Sequence, residues 1–88
     1  MAFYVVSYDL HKDRDYSRIH KGIMDLSSNW CKPLASLYVL ESTKTSLHVR
    51  DFLANYLDSD DSLLVIDVKP PLNWAARNLS SDVVKWLG

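Results

Sequence analysis

The sequence predicts an α/β (α+β) domain whose elements run β-α-β-β-α-β and are followed by a C-terminal tail helix. Three observations carry that expectation. Two apolar runs, residues 3–9 and 62–68, are rich in β-branched and aromatic side chains, as strands are. Between them, two apolar stripes recur at helical spacing, Tyr16/Ile19/Ile23/Leu26 and Val49/Phe52/Leu53/Tyr56/Leu57. The 88 residues are enough for one core and too few for two, since domains usually run from about 50 to about 250 residues.

Each element has its own reason. Residues 3–9 form the first strand, and their unbroken apolar start suits a strand covered on both faces. The polar stretch 10–15 is a loop, at whose end Asp15 is placed to cap a helix through its carboxylate. Ser27, Ser28 and Asn29 stop that helix. Two short strands follow, about residues 30–35 and 36–41. Pro33 cannot donate to a ladder and so directs the first of them to an edge. Residues 42–45 connect to the second helix, capped by Thr45 or Ser46, and the acidic stretch 58–61 forms a turn. The last strand, residues 62–68, is apolar enough to lie between covered faces, and Pro70 and Pro71 end it.

The tail carries Trp74 and a short helical segment with Val83, Val84, Trp86 and Leu87, after a cap at Ser80 or Ser81. So many large apolar groups require a surface to cover. The expected architecture is a ferredoxin-like sandwich over residues 1–69, with both helices on one face of the sheet. Residues 70–88 would pack on the sheet or on a dimer partner. A two-fold homodimer is the commonest oligomeric way to cover such a face.

Composition narrows the chemistry. Cys31 is the single cysteine, so neither an intrachain disulfide nor a cysteine pair for zinc exists, and a reducing cytoplasmic setting is expected. Only Gly22 and Gly88 are glycines, too few for a loop that cradles phosphate with backbone amides. Ten basic and eleven acidic residues give a net charge of -1, without the cationic excess typical of proteins that hold nucleic acid by phosphate neutralisation. No stretch approaches the roughly 20 apolar residues of a membrane span, and residues 1–9 read as a strand with no basic leader; no membrane partner is expected.

The candidate chemistry gathers around the first strand's end. Asp9 stands where a carboxylate projects beyond the sheet. Two such groups across a dimer axis would hold a hard divalent cation, and one alone would be a solvated strand-end carboxylate ordering the next loop. His11, two residues on, is either an acid–base group or a surface histidine. Lys12, Arg14 and Arg18, with Lys21, give a basic flavour suited to a phosphate backbone. Asp13 and Asp15 intervene, so a mixed solvated face is the other reading. Asp58, Asp60 and Asp61 lack the glycine and closing glutamate of a calcium loop and read as a solvated turn. Ser7, Ser36 and Cys31 have no nucleophile context, and His20 and His48 form no ligand pair. Tyr4, Tyr8, Tyr38 and the tryptophans could stack on bases, although core or dimer packing is the simpler use for aromatics at strand and tail positions.

Three segments taken together resemble a known group. Val5-Val6-Ser7-Tyr8-Asp9-Leu10, Ala35-Ser36-Leu37-Tyr38-Val39-Leu40-Glu41 and Asp61-Ser62-Leu63-Leu64-Val65-Ile66 are similar, in order, to the most recognisable strands of the CRISPR-associated protein 2 and VapD-like families, over about residues 1–68. The pattern is most similar to stand-alone bacterial and phage relatives, which often end in a tryptophan-bearing helix like residues 83–87. The resemblance implies a ferredoxin-like fold, a homodimer, and either metal-dependent nuclease activity or a scaffolding role in DNA spacer integration. It places Asp9 at the proposed metal ligand, Ser36 at a small polar position of the later strand, and Arg14 near a recurrent arginine. The functional expectation is a nucleic-acid-associated homodimer acting as a metal-dependent phosphodiesterase (endonuclease) on RNA or DNA. Mg²⁺ or Mn²⁺ would sit between two Asp9 side chains, with His11 as the second catalytic group. The alternative is a non-catalytic dimeric adaptor or regulator that binds a protein partner.

Overall fold

The computed structural model describes residues 2–11 and 16–88. Along the chain come β1 (Ala2–Asp9), α1 (Tyr16–Leu26), β2 (Trp30–Leu34), β3 (Leu37–Ser42), α2 (Ser46–Ala54), β4 (Ser62–Val68) and α3 (Ser81–Leu87). The strands form one antiparallel sheet in the order β2-β3-β1-β4, so β1 is interior and β2 and β4 are the two edges. This α+β arrangement is compatible with the expected ferredoxin-like layout. Among the described residues, no helix is long and apolar enough to cross a membrane.

Alternation along the strands sorts the apolar side chains onto two faces. Tyr4, Val6 and Tyr8 of β1 join Tyr38 and Leu40 of β3 on the face covered by α1 and α2, where Ile19, Ile23, Val49 and Leu53 close the main core. The helical stripes read from the sequence are the faces that do this. α2 starts at Thr45, whose hydroxyl accepts the His48 N–H at 3.2 Å. It ends earlier than its apolar stripe, because the Asn55 N–H closes on the Phe52 carbonyl at 3.3 Å. Tyr56 and Leu57 lie just beyond, and Leu57 still packs on the core. Gly22 of α1 permits the close approach there, since a Cβ at that position would stand 2.7 Å from the Tyr56 ring.

The opposite face has a smaller core. Cys31, Val39 and Val83 are buried together, with Val5, Leu37, Leu72, Leu79, Trp86 and Leu87 packed around them. The tail therefore turns back onto its own sheet. α3 begins at Ser80, whose hydroxyl accepts the Val83 N–H at 3.3 Å, and lies against β2. Trp86 meets Phe3 edge-on with ring centres 5.9 Å apart, and its indole N–H donates to the Asn29 side-chain oxygen at 2.8 Å.

Two expectations change at the sheet. Ala35 and Ser36, read as strand ends, form the turn between β2 and β3, and the pairing of those strands shifts between Cys31 and Leu34, around Pro33. β4 is not covered on both faces. Leu64 is 57% and Ile66 46% exposed, because β4 is an edge and the tail packs over β2, β3 and Val5 instead. An apolar strand composition does not by itself distinguish a strand covered twice from one covered once. The Asp15 cap lies outside the described residues.

Candidate functional site

The carboxyl end of β1 brings two of the expected groups together. Asp9 is the last strand residue and faces Ser62 across the β1–β4 ladder. The next residue, Leu10, is buried in the main core and pins the chain as it leaves the sheet, while its neighbours on either side stay exposed. As a result the His11 Nε2 stands 3.8 Å from the Asp9 carboxylate, with side-chain exposures of 49% and 76%. Asp9, Ser7, Tyr8 and the start of β4 line a shallow depression of about 200 Å³.

The acidic turn lies on the other side of His11. Asp61 accepts the His11 backbone N–H at 2.9 Å through one oxygen and the Asp58 N–H at 2.8 Å through the other. These two donors, that of His11 first, favour the ionised form and hold the Asp61 carboxyl below the usual carboxylate range. Asp58 in turn meets Arg18 at 3.2 Å. Oxygens of Asp58, Asp60 and Asp61 lie within 4.8 Å of one another, but the first and last already serve the ion pair and the two backbone bonds. The turn is thus a clasp joining the exit of β1 to the entrance of β4, more ordered than a merely solvated turn. Arg18, expected on a nucleic-acid face, belongs to that clasp. Lys12 and Arg14 lie outside the described residues.

A hard divalent ion takes oxygen ligands, and Mg²⁺ commonly uses one or two carboxylates together with substrate phosphates. Among the described residues of one chain, Asp9 is the carboxylate at the β1 end outside the clasp, and its neighbour His11 offers nitrogen. These described donors do not complete the expected site, which calls for a second Asp9 from another copy.

The aromatic residues considered for base stacking are mostly interior. Tyr4, Tyr8 and Tyr38 are buried. The Tyr4 hydroxyl donates to the Lys44 carbonyl at 2.6 Å, and that of Tyr8 to the Ala35 carbonyl at 3.1 Å. Burial raises the pKa of all three phenols. The Tyr38 hydroxyl shares a 2.5 Å hydrogen bond with His20 Nδ1, and the His20 ring meets Trp30 edge-on at 5.2 Å. The sequence offered one signal for this pairing: His20 follows Tyr16 by four residues, on the same side of α1. Ser36 is exposed in the β2–β3 turn, where its carbonyl accepts the Tyr8 N–H at 3.1 Å. Cys31 is buried beneath the tail, and desolvation pushes its thiol up to about 11.

Comparison with protein-family models gives no match, and comparison with curated proteins gives none either.

Proposed function

We propose that the chain is a cytoplasmic, ferredoxin-like homodimer that works as a non-catalytic adaptor or regulator. The carrying observation is the open side of the sheet. β4 is an unpaired edge strand, and Leu64 and Ile66 project from it into solvent while the tail covers the part of that face formed by β2, β3 and Val5. Exposed apolar groups beside free backbone donors and acceptors form an association surface, which serves the homodimer, while a protein partner would use the surfaces that the dimer leaves free. The strand order β2-β3-β1-β4 supports the ferredoxin-like assignment. The near-balanced charge favours protein recognition over tight, sequence-independent nucleic-acid binding. In this reading the dimer presents each remaining surface twice, related by two-fold symmetry.

A second reading is favoured by the 3.8 Å approach of Asp9 and His11. It makes the chain a metal-dependent phosphodiesterase acting on RNA or DNA. Two Asp9 carboxylates would hold Mg²⁺ or Mn²⁺, and His11 would move a proton at its imidazole nitrogen. When bound, the ion supplies charge stabilisation at the phosphoryl oxygens. One experiment separates the readings: incubation of nuclease-free wild type and Asp9→Asn with RNA and DNA in the presence of each ion. The adaptor reading expects no cleavage by either protein. It also expects the full chain used as bait to retain a discrete partner after nuclease treatment. Cleavage by wild type that Asp9→Asn abolishes would replace it with the enzyme.

A further inference from the structure

We infer that a second copy of the chain docks along β4, edge to edge, in an antiparallel register centred on Val65. This rests on the homodimer in the function proposed above and specifies its contact surface. Antiparallel neighbours directly opposite one another point to the same face, so only registers that pair residues of like alternation extend both faces of the sheet continuously.

Centring on Val65 pairs Leu64 with the partner's Ile66, and Ile66 with the partner's Leu64. The two exposed side chains of each copy would then meet on the outer face. One step beyond each end of β4, Asp61, whose carboxylate also holds the two backbone bonds of the clasp, faces the partner's Lys69, so opposite charges adjoin at both ends. On the helix side, Leu63 faces the partner's Asp67. Leu63 lines a groove of about 270 Å³ with Leu47 and Arg50, so the incoming carboxylate arrives near Arg50, which holds Asp51 at 2.7 Å.

The neighbouring registers lack this match. Centring on Leu64 sets Asp61 against the partner's Asp67, twice, which like charges disfavour. Centring on Ile66 sets Asp67 against the partner's Val65 and Lys69 against the partner's Leu63, so the two Asp61–Lys69 pairings of the Val65 register are lost. β4 contains no proline, and its ladder with β1 runs without a register shift through seven residues.

The geometry also has a consequence at Asp9. In the edge-to-edge dimer β1 is the second strand in from the junction on each side, and Asp9 lies at the Ser62 end of β4. Strand spacing and rise then separate the two Asp9 positions by roughly 25 Å. A dimer of this form cannot place both on one ion, which distinguishes it from the dimer required by the enzyme.

The test combines sedimentation with cysteine crosslinking in the full chain. Wild type is expected to be a dimer at micromolar concentration, and Ile66→Lys to raise the dimer dissociation constant about a hundredfold. Leu34→Lys, on the other edge, should leave it unchanged. Leu64→Cys and Ile66→Cys, mixed under mild oxidation, should form the mixed disulfide in preference to either homodisulfide, because directly opposed Cα atoms lie within disulfide reach. Buried Cys31 supplies the background, expected to be silent. A wild-type dimer with no preference for the mixed disulfide overturns this interface and leaves the homodimer standing. A wild-type monomer overturns both. The crosslinking result decides the register even if Ile66→Lys fails to fold.

Discussion

The two edges of the sheet are built on opposite plans. β2 has five residues, contains Lys32 and Pro33, loses register with β3 between Cys31 and Leu34, and lies under α3. These are the devices by which edge strands avoid pairing with other chains. β4 has seven residues in continuous register with β1, its one charged residue is Asp67, and it exposes Leu64 and Ile66. The tail closes the edge that local sequence had already blunted, and leaves open the edge suited to pairing. The contrast separates two uses of apolar residues on one sheet: stability at β2 and, in the proposed dimer, association at β4.

The largest effect should come from placing charge beneath the tail. Val83 is buried with Cys31 and Val39, so Val83→Asp should destabilise the fold by about 3–5 kcal/mol, read by urea unfolding, because the carboxylate would have no partner there. A loss below about 1 kcal/mol would mean that α3 does not complete the core. Next comes Trp86→Ala, which removes the Phe3 contact and the bond to Asn29 and should cost about 2–3 kcal/mol. Its second readout is Cys31. With its thiol pushed up to about 11 by burial, it should react slowly with alkylating reagents at pH 8 in wild type, and at least about tenfold faster once α3 loosens.

The acidic clasp sharpens the comparison at the entrance to β4. The folded Asp61 carboxyl titrates below its unfolded value, so its stabilisation is complete above the unfolded pKa of about 3.9 and is lost as the pH falls through the folded value. Wild type should therefore be more stable than Asp61→Asn at pH 7, with the difference shrinking below about pH 4 in parallel denaturation series. A constant difference across that range would assign the effect to packing. The smallest change in fold stability is expected at β4 itself. Ile66→Lys, at a protein concentration where the chain is monomeric, should shift unfolding by no more than about 0.5 kcal/mol, as exposed substitutions usually do. A much larger loss would show that Ile66 serves the fold and not a partner.

The same contrast explains what the sequence made legible. Ile19, Ile23, Val49 and Leu53 could be read from periodicity because one face of each helix is buried whatever lies opposite. Pro33 marked its edge because a missing donor is a local property. The status of β4 was hidden, since Leu64 and Ile66 look alike in covered and open strands and only the path of the tail distinguishes them. At the β1 end, Asp9 and His11 are two residues apart and their meeting was readable. The bond from the His11 backbone to Asp61 joins residues far apart in the chain and depends on β1 pairing with β4. The His20–Tyr38 contact likewise needs the helix-to-sheet packing before its four-residue spacing from Tyr16 acquires meaning.

The interior position of β1 also governs how the molecule comes together. The first strand of the chain takes its place between β3 and β4, with Phe3 facing both Glu41 and Val68. Neither ladder can form until the chain has looped back over long distances, and such closures are slow because their entropy is lost before the new contacts compensate. On a ribosome, Tyr4, Val6 and Tyr8 emerge well before the strands that will shelter them. Folding therefore waits on β4, the strand whose outer edge stays open when it is done.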